Sequence, residues 1–277
     1  MNVYDIVDVT DIEQNGKVYN GAESKYGITI DGVDFIVKKQ RSFWNNVICE
    51  YVASNVILIL GGDAHRTYLG RCDKDSVVLC RDFTSNKERL KSFRSVESLS
   101  LDTELDKHDY YYNDVIYLFN KLHQCNVKDC ITKFNAMYVY DALLGNPDRH
   151  RGNWGVLKSN EGYRFAPIFD NGAALFPRAV DATLTEDWMR ERIYTFPNSK
   201  IMFNDKRERS SYYNVLKDNE IFCDIVSAIT DDKIYNAFAF IETAPISDYL
   251  KTLYKTVIWY RYKCLLKRED FVWKGIK

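Results

Sequence analysis

Short runs of alternating apolar and polar residues occupy most of the first 85 positions, a pattern typical of β-strands. Residues 26–30 (YGITI) and 33–38 (VDFIVK) flank an Asp-Gly pair at 31–32, and an Asn-Gly pair stands at 15–16. Such dipeptides between strand-like runs predict two-residue hairpin turns. Two further runs, RTYLGRC and SVVLCRDF, also read as strands. The pattern therefore predicts a small antiparallel sheet.

One helical pattern interrupts these strands. Apolar residues recur at near-helical spacing over about 43–60, and Gly61-Gly62 follow as a stop signal. We expect this helix to pack against the sheet.

Helical periodicity dominates the rest of the chain. It predicts helices over about 111–124, 127–144, 218–229, 231–242 and 247–266. A single hairpin is predicted among them, because NWGVLK and YRFAPIFD flank the turn-rich SNEG at 159–162. The predicted fold class is α+β, with a β-rich N-lobe over 1–85 and a mainly α-helical C-lobe over 86–277.

Composition excludes several other classes of protein. The chain has 277 residues, a net charge of -1 and 46% hydrophobic residues, as in ordinary globular proteins. This charge predicts neither direct nucleic-acid binding nor a membrane surface as partner. The longest apolar run, VILIL, is too short to cross a bilayer.

The N-terminus and the cysteines bear on location. The opening residues, MNVYDIVDVTD, lack a signal-peptide pattern. The seven cysteines include no CxxC pair and are read as reduced thiols. A cytoplasmic location is predicted, with export as an effector left open.

Three polar residues around the predicted hairpin have the types that phosphoryl transfer requires. Asn153 and Asp170 are almost equidistant from its centre, so antiparallel pairing would bring them together, with opposed residues about 5 Å apart. An amide oxygen beside a carboxylate suits Mg²⁺. Asp148 lies upstream, where a carboxylate could orient a hydroxyl or take its proton. Protein kinases use the same trio.

The motifs that contain these residues resemble those of a known family. GNPDRHRGNWG (145–155) followed by PIFDNG looks like the catalytic and metal-binding motifs of the HipA-like serine/threonine kinases, bacterial proteins distantly related to phosphoinositide kinases. The resemblance implies a bilobal protein-kinase-like fold that binds ATP and Mg²⁺. Asp148 would be the catalytic residue, and Asn153 and Asp170 would be the metal ligands.

The same resemblance implies an ATP-binding set upstream. NGAESKYGI is similar to the family's phosphate-covering loop, DFIVKK to its lysine strand, CEYVASNVILILG to the following helix and LCRDF to the hinge that contacts adenine through backbone groups. Lys38 is preferred over Lys39 as the phosphate-contacting lysine. The implied residues are Gly21, Ala22, Ser24, Lys25, Lys38, Glu50, Cys80, Arg81 and Phe83. Gly21 also has a physical reason, since backbone that closes on phosphate tolerates no side chain.

The sequence departs from the family pattern at two places. Longer members carry an N-terminal subdomain before the loop motif, for which this chain has no room, and the stretch after Gly172 has no residue-by-residue match. Toxicity, an antitoxin partner and a translation-machinery substrate are known for some members only. They do not carry over automatically to this chain. The resemblance implies a protein substrate as partner and leaves a small antitoxin or regulatory protein open as a second one.

Purely structural interpretations stay open for several residues. Asp148, Asn153 and Asp170 are also turn formers. Glu50 either pairs with Lys38 or lies on an exposed helix face, and Lys38 itself ends a strand, where solvated lysines are common. His150 is assigned a structural role, and Arg149 either shares it or neutralises phosphate.

Two segments outside the trio also have a structural and a functional reading. The basic stretch 204–211 (NDKRERSS) is either a solvated loop or a docking and phosphoacceptor segment. Ser24 either caps a turn or is an autophosphorylation site whose phosphate would repel ATP and capture Lys25.

The function predicted is ATP- and Mg²⁺-dependent transfer of the γ-phosphoryl group to a serine or threonine hydroxyl of a protein. A phosphoinositide-type lipid kinase is one alternative, although DNG stands where those enzymes usually have Phe before Gly. A non-catalytic nucleotide-binding module is the other, although no member of the trio is missing.

Overall fold

The computed structural model describes most of the chain. Its described residues are 1–17, 19, 25–42, 44–84, 87–100, 110–179, 185–193, 195–203 and 211–269. The predicted loop residues Gly21, Ala22 and Ser24 lie outside them, and so does all of the 204–211 segment except Ser211.

The strands predicted near the N-terminus form one five-stranded sheet. Its order is β1-β4-β5-β3-β2, and its strands are β1 (Val7–Asp8), β2 (Lys25–Ile30), β3 (Val33–Lys39), β4 (Thr67–Cys72) and β5 (Asp75–Arg81). Three pairings are antiparallel, but β1 runs parallel to β4. The prediction of a purely antiparallel sheet is wrong at this edge, because a two-residue strand carries no alternation from which its direction could be read.

The two dipeptide turn signals have different outcomes. Asp31-Gly32 forms the predicted hairpin, with φ of 50° and 74° and Ile30 opposite Val33. Asn15-Gly16 does not form a two-residue hairpin, because Gln14 bridges to Ile28 and the Asn15 amide donates to the Gly27 carbonyl at 2.9 Å. A Cβ on Gly27 would lie 2.3 Å from Asn15 Oδ1, so a larger residue there would displace the Asn15 side chain.

The predicted helix of the N-terminal part is α1 (Asn46–Ile59), and it packs against β4 and β5. Most of its residues are buried, because its other side contacts a helix from the C-terminal part of the chain, α8 (Asp231–Thr243). A helix buried on both sides cannot show a clean apolar stripe.

Helices make up most of the described residues after residue 92. They are α2 (Phe93–Ser100), α3 (Tyr112–Lys121), α4 (Val127–Leu144), α5 (Glu186–Ile193), α6 (Tyr212–Asp218), α7 (Cys223–Ala228), α8 and α9 (Asp248–Arg261), with a 3-10 turn at Glu220–Phe222 and a π-helical turn at Tyr262–Leu266. The predicted helix over 218–229 is broken, because Asn219 is extended, with φ of −124° and ψ of 114°. A mixed α+β fold is confirmed.

The predicted hairpin is part of a larger sheet. Strands β8 (Gly155–Ser159) and β9 (Gly162–Phe165) pair as expected, and β6 (Arg89–Ser92) adds a third strand beside β8. A Cβ on Gly155 would lie 2.1 Å from the Lys91 carbonyl oxygen, so the strands approach closely there. Two short strands, β7 (Tyr110–Tyr111) and β10 (Ile201–Met202), pair in parallel.

The five-stranded sheet and the hairpin sheet are joined by backbone hydrogen bonds. The Ile168 amide donates to the Asp63 carbonyl at 2.8 Å, and the His65 amide donates to the Ile168 carbonyl at 3.0 Å. The segment before β4 and the segment after β9 are therefore fixed relative to each other.

Among the described residues, no helix has the length and apolar character needed to cross a membrane.

Candidate active site

The Asp148 loop, residues 145–154, begins where α4 ends. Gly145 is left-handed, with φ of 68° and ψ of 47°, and turns the chain out of the helix. Asn146 then folds back, because its amide donates to the Asp141 carbonyl at 2.9 Å and its side-chain nitrogen donates to Asp141 Oδ1 at 3.1 Å. The Asp148 amide donates to Asn146 Oδ1 at 3.0 Å.

Asn153 closes this loop on itself. Its side-chain nitrogen donates to the Asp148 carbonyl at 2.9 Å, so the two predicted site residues are held together. His150 braces the turn between them, since its Nδ1 accepts a hydrogen bond from the Gly152 amide at 3.0 Å. Burial lowers the pKa of His150, which favours the neutral ring that such an acceptor requires. This geometry agrees with the structural role predicted for His150.

Arg149 is fully buried and connects the loop to the segment that precedes Asp170. It makes two hydrogen bonds to the Asp141 carboxylate, each at 2.8 Å, and one to Asn171 Oδ1 at 2.6 Å. Its Nη1 donates to the backbone carbonyls of Asn153 and Phe169. Of the two roles considered for Arg149, the structure favours the structural one, because every nitrogen is engaged inside the protein.

The structure does not pair Asn153 with Asp170 across the hairpin as predicted. In β8 and β9 Val156 lies opposite Phe165, and continuing that register would put Asn153 opposite Ile168, two residues before Asp170. The ladder ends before either site residue, because Ile168 turns to pair with the segment before β4. The backbones meet through Arg149 Nη1 rather than through strand pairing.

Lys38, Glu50 and Asp170 form an ion-pair cluster in which Lys38 and Glu50 are buried and Asp170 is partly exposed. Lys38 Nζ lies 3.0 Å from Glu50 Oε2 and 2.5 Å from Asp170 Oδ1. Glu50 is 3% exposed, so of the two positions considered for it the structure shows the buried, paired one. The Asn171 and Gly172 amides donate to the two Glu50 oxygens at 2.8 and 3.1 Å.

The cluster stays charged despite its burial. Desolvation opposes ionisation of Glu50, but Lys38 and His65 outweigh it and hold the pKa of this carboxyl well below its usual range. Desolvation likewise opposes the charge on Lys38, and the carboxylates of Asp170 and Glu50 raise its pKa well above the ordinary value. The pKa of Asp170 is lowered, because Lys38 outweighs its desolvation.

Asp170 has the geometry of a strained site residue. Its φ is 58°, a left-handed conformation that few non-glycine residues adopt, and its side chain is 32% exposed. Asp148 and Asn153 are partly exposed as well. Within the described part of the chain, neither the Asp148 carboxylate nor Asn153 Oδ1 accepts a protein hydrogen bond, so their oxygens are available as ligands or acceptors. This donor set fits a hard divalent cation.

The three predicted hinge residues occupy different positions relative to the five-stranded sheet. Cys80 lies within β5, between β3 and β4, so strand pairing engages its backbone, and the proposed contact between that backbone and adenine does not fit. The Arg81 amide donates to the Arg66 carbonyl at 2.8 Å. Phe83 follows the sheet, with its ring 5.8 Å from that of Phe169.

Lys25 and Lys39 also differ in position. Lys25 begins β2 directly opposite Lys38, and its charge contributes to lowering the pKa of Asp170. Lys39 is exposed and pairs with Asp75 at 3.1 Å on the other side of the strand.

Several residues that hold the site were missed by sequence reasoning. His65 Nε2 lies 2.9 Å from Glu50 Oε1 and 3.0 Å from Ser54 Oγ, and Asn171 Nδ2 donates to the same Ser54 oxygen at 2.9 Å. Asp141 was missed because an acid inside a helix usually faces solvent. A signal existed for Asn171, which belongs to the DNG motif.

The fold and this site together define the class of protein. Residues 18–229 match the model of the HipA-like C-terminal domain, so the chain belongs to the HipA-like family, and the resemblance drawn from the motifs is confirmed. A curated relative is the serine/threonine-protein kinase CtkA of Helicobacter pylori, 37% identical over 185 residues. That match covers 64% of this chain and 57% of the relative's length.

Two solved structures show the same fold. The crystal structure of the Helicobacter pylori proinflammatory kinase CtkA matches with a TM-score of 0.84 and 30% identity, over 95% of this chain and 96% of that one. HipA of Shewanella oneidensis, in complex with HipB and operator DNA, matches with a TM-score of 0.60 and 14% identity. This second match covers 91% of this chain and 65% of that one, and it shows the fold alone.

Proposed function

We propose that this protein is a kinase that transfers the γ-phosphoryl group of ATP to a serine or threonine hydroxyl of a protein, with Mg²⁺ as cofactor. The observation that carries the proposal is the meeting of Lys38, Glu50 and Asp170 beside the Asp148 loop. Phosphoryl transfer is catalysed mainly by positioning and charge neutralisation, and these residues supply both.

Each residue has a proposed role. Lys38 binds the α- and β-phosphates, and Glu50 holds the lysine in place through the 3.0 Å ion pair. Asp148 orients the acceptor hydroxyl and receives its proton, because its carboxylate is partly exposed and has no described protein donor. Asn153 and Asp170 are proposed to hold the metal, which would neutralise charge on the phosphate oxygens.

The site is proposed to lie between two lobes, residues 1–85 and 86–277. Lys38 and Glu50 come from the first and Asp148, Asn153 and Asp170 from the second, so a nucleotide bound at Lys38 would also face the Asp148 loop. Gly21, Ala22, Ser24 and Lys25 are proposed to cover its phosphates. Of the predicted hinge residues, Arg81 and Phe83 remain the proposed neighbours of adenine, Arg81 through groups other than its amide, which donates to the Arg66 carbonyl.

A protein is the proposed acceptor because the curated relative is named a serine/threonine-protein kinase. The test is incubation of the purified protein with labelled ATP and Mg²⁺, in parallel with a whole-cell protein extract and with phosphoinositide-containing vesicles. Label in protein supports the proposal. Label in lipid alone supports the lipid kinase, and nucleotide binding without any transfer supports the binding module.

A small regulatory partner remains a proposal as well. HipA of Shewanella oneidensis was solved with HipB and operator DNA, and that assembly belongs to HipA. Co-purification of the tagged protein from its native cells, compared with the Asp148→Asn variant, would show whether a small protein accompanies this chain and whether activity affects that association.

A further inference from the structure

Two cysteines remote from the candidate site have their sulfur atoms in contact. Cys125 Sγ and Cys130 Sγ are 3.4 Å apart, and one thiol donates a hydrogen bond to the other. Both are free thiols in this structure. A disulfide has a sulfur–sulfur distance of about 2.05 Å, so bond formation requires an approach of roughly 1.4 Å.

The backbones on both sides of this contact are fixed by hydrogen bonds. Cys125 forms a parallel bridge with Tyr163 of β9, and the Tyr163 amide donates to the Gln124 carbonyl at 3.4 Å. Cys130 lies in the first turn of α4, where its amide donates to the carbonyl of the N-cap residue Asn126 at 3.0 Å. The contact between the sulfurs is therefore set by two ordered elements.

We propose that Cys125 and Cys130 are a disulfide-forming pair, which a small-molecule disulfide such as oxidised glutathione converts to a cystine that links α4 to the segment beside β9. The partly exposed Cys125 reacts first, because Cys130 is fully buried. The Cys125 thiolate attacks one glutathione sulfur and releases one glutathione. The Cys130 thiolate then attacks Cys125 Sγ and releases the second.

The reaction balances within these groups. Two protein thiols lose two protons and two electrons, and one oxidised glutathione becomes two molecules of reduced glutathione. No metal, nucleotide or phosphoryl transfer takes part, so this inference does not depend on the proposed kinase activity.

The environment of the two thiols predicts that their disulfide forms slowly and is reduced slowly. Burial raises the pKa of Cys125, and burial together with the neighbouring Cys125 raises the pKa of Cys130 to about 12. Little thiolate is then present at neutral pH, which slows the attack on an oxidant. The same high thiol pKa makes each cysteine a poor leaving group, so the finished disulfide resists exchange.

The cystine would act on the helix that carries the Asp148 loop. Asn126 caps α4 through its side chain, which accepts from the Asp129 amide, and a covalent link between 125 and 130 encloses that cap. We expect backbone amides in the first turn of α4 to exchange with solvent more slowly in the oxidised protein, because local opening of the turn is then restricted.

Peptide mapping tests the inference directly. The full chain is treated with oxidised glutathione at mildly alkaline pH, its remaining thiols are alkylated, and it is digested with trypsin without reduction. Cleavage after Lys121, Lys128 and Lys133 separates the two cysteines, because Leu122–Lys128 and Asp129–Lys133 become different peptides. The expected product is this pair joined by a disulfide, two hydrogens lighter than the sum of the peptides.

Two variants and the exposed thiol of Cys223 provide the controls. The link should persist in Cys223→Ser, which removes an exposed thiol, and disappear in Cys125→Ser. Glutathione found on Cys223 in the wild type shows that the oxidant was active. If Cys125 and Cys130 are then both alkylated, or if Cys125 remains as a mixed disulfide with glutathione or joins a second chain, the inference is overturned.

Discussion

Lys38 and Lys39 are adjacent in sequence, yet the alternation of side chains along β3 gives them opposite environments. Lys38 is buried against Glu50 and Asp170, whereas Lys39 is exposed beside Asp75. The sequence alone cannot distinguish two consecutive lysines at a strand end. The contrast also makes Lys39 a matched control for experiments on Lys38.

We expect Lys38→Met to lower the free energy of unfolding by about 3 kcal/mol, because it removes the cation from a buried cluster and leaves two carboxylates beside each other. The same substitution at Lys39 should change it by less than about 0.5 kcal/mol, as at most exposed positions. Urea denaturation of both variants measures this difference. Equal effects would show that the cluster does not stabilise the fold.

Nucleotide affinity provides a second comparison of the two lysines. Only Lys38→Met should weaken ATP binding, because only Lys38 is proposed to contact phosphate. Isothermal titration calorimetry of the two variants measures the affinity. Comparable weakening by Lys39→Met would contradict that assignment.

Asp148 is proposed to act on the acceptor rather than on the fold. Asp148→Asn should reduce phosphoryl transfer by about 100-fold or more, which is the contribution of a positioned general base. Nucleotide affinity and melting temperature should stay near their wild-type values, since the Asp148 carboxylate accepts no hydrogen bond within the described part of the chain. Single-turnover assays and calorimetry separate the two effects.

Asp141→Asn provides a comparison for Asp148→Asn, because Asp141 is a carboxylate with a structural role. Asp141→Asn should lower the melting temperature, because Asp141 accepts two hydrogen bonds from the buried Arg149. A large loss of stability in Asp148→Asn, similar to that in Asp141→Asn, would mean that Asp148 is a structural turn residue.

At the scale of elements, α4 matters most because its C-terminal end fixes where the Asp148 loop begins. Asn126 caps its first turn, and Gly145 ends it in a left-handed conformation. The guanidinium of Arg261 lies against Gly145, where a Cβ would be 2.1 Å from Nη1. Arg261 is buried, and burial lowers its pKa to about 10.

We expect Gly145→Ala to destabilise the protein more than Gly32→Ala does. Both glycines have positive φ, 68° and 74°, so both substitutions carry a conformational cost of about 1 kcal/mol. A Cβ on Gly32 would meet nothing within 4 Å, whereas one on Gly145 would displace Arg261, adding about 1–3 kcal/mol. Equal losses of unfolding free energy would show that Arg261 moves aside freely.

Sequence patterns predicted some elements well and missed others for physical reasons. Helix α4 was predicted at its observed bounds, because its cap and stop residues are local signals. Strand β6 was missed, because RLKS acquires its strand conformation only by pairing with β8. Helix α5 was missed as well, since only Trp188, Met189 and Ile193 of its eight residues are apolar.

At the scale of the whole molecule, the candidate site joins distant parts of the chain. Lys38 and Asp170 are 132 residues apart in sequence and Glu50 and Asn171 are 121 apart, yet each pair is in direct contact. A ligand that bridges these parts should stabilise the entire fold, because it binds only when both are in place.

ATP with Mg²⁺ should therefore raise the melting temperature of the wild-type protein. At a ligand concentration of about 100 Kd, mass action contributes about 2.7 kcal/mol, which corresponds to a shift of roughly 5 °C or more for a chain of this size. Differential scanning fluorimetry with ATP, with Mg²⁺ and with both measures the shift.

Asp170→Ala should abolish the part of that shift that depends on Mg²⁺ and leave part of the shift with ATP alone. Lys39→Met serves as the control and should behave like the wild type. A shift that is equal with and without the metal in the wild-type protein would argue against a metal site at Asn153 and Asp170.

The sequence by itself determined which chemical groups this protein has and their order along the chain. Asp148, Asn153 and Asp170 were predicted as site residues from their types and spacing, and the helices with local caps were located, because both inferences depend on neighbouring residues. The tertiary structure decided which groups meet. It placed Glu50 against Asn171 and turned Ile168 away from the hairpin toward Ala64. These contacts depend on packing between segments more than a hundred residues apart, which no local pattern contains.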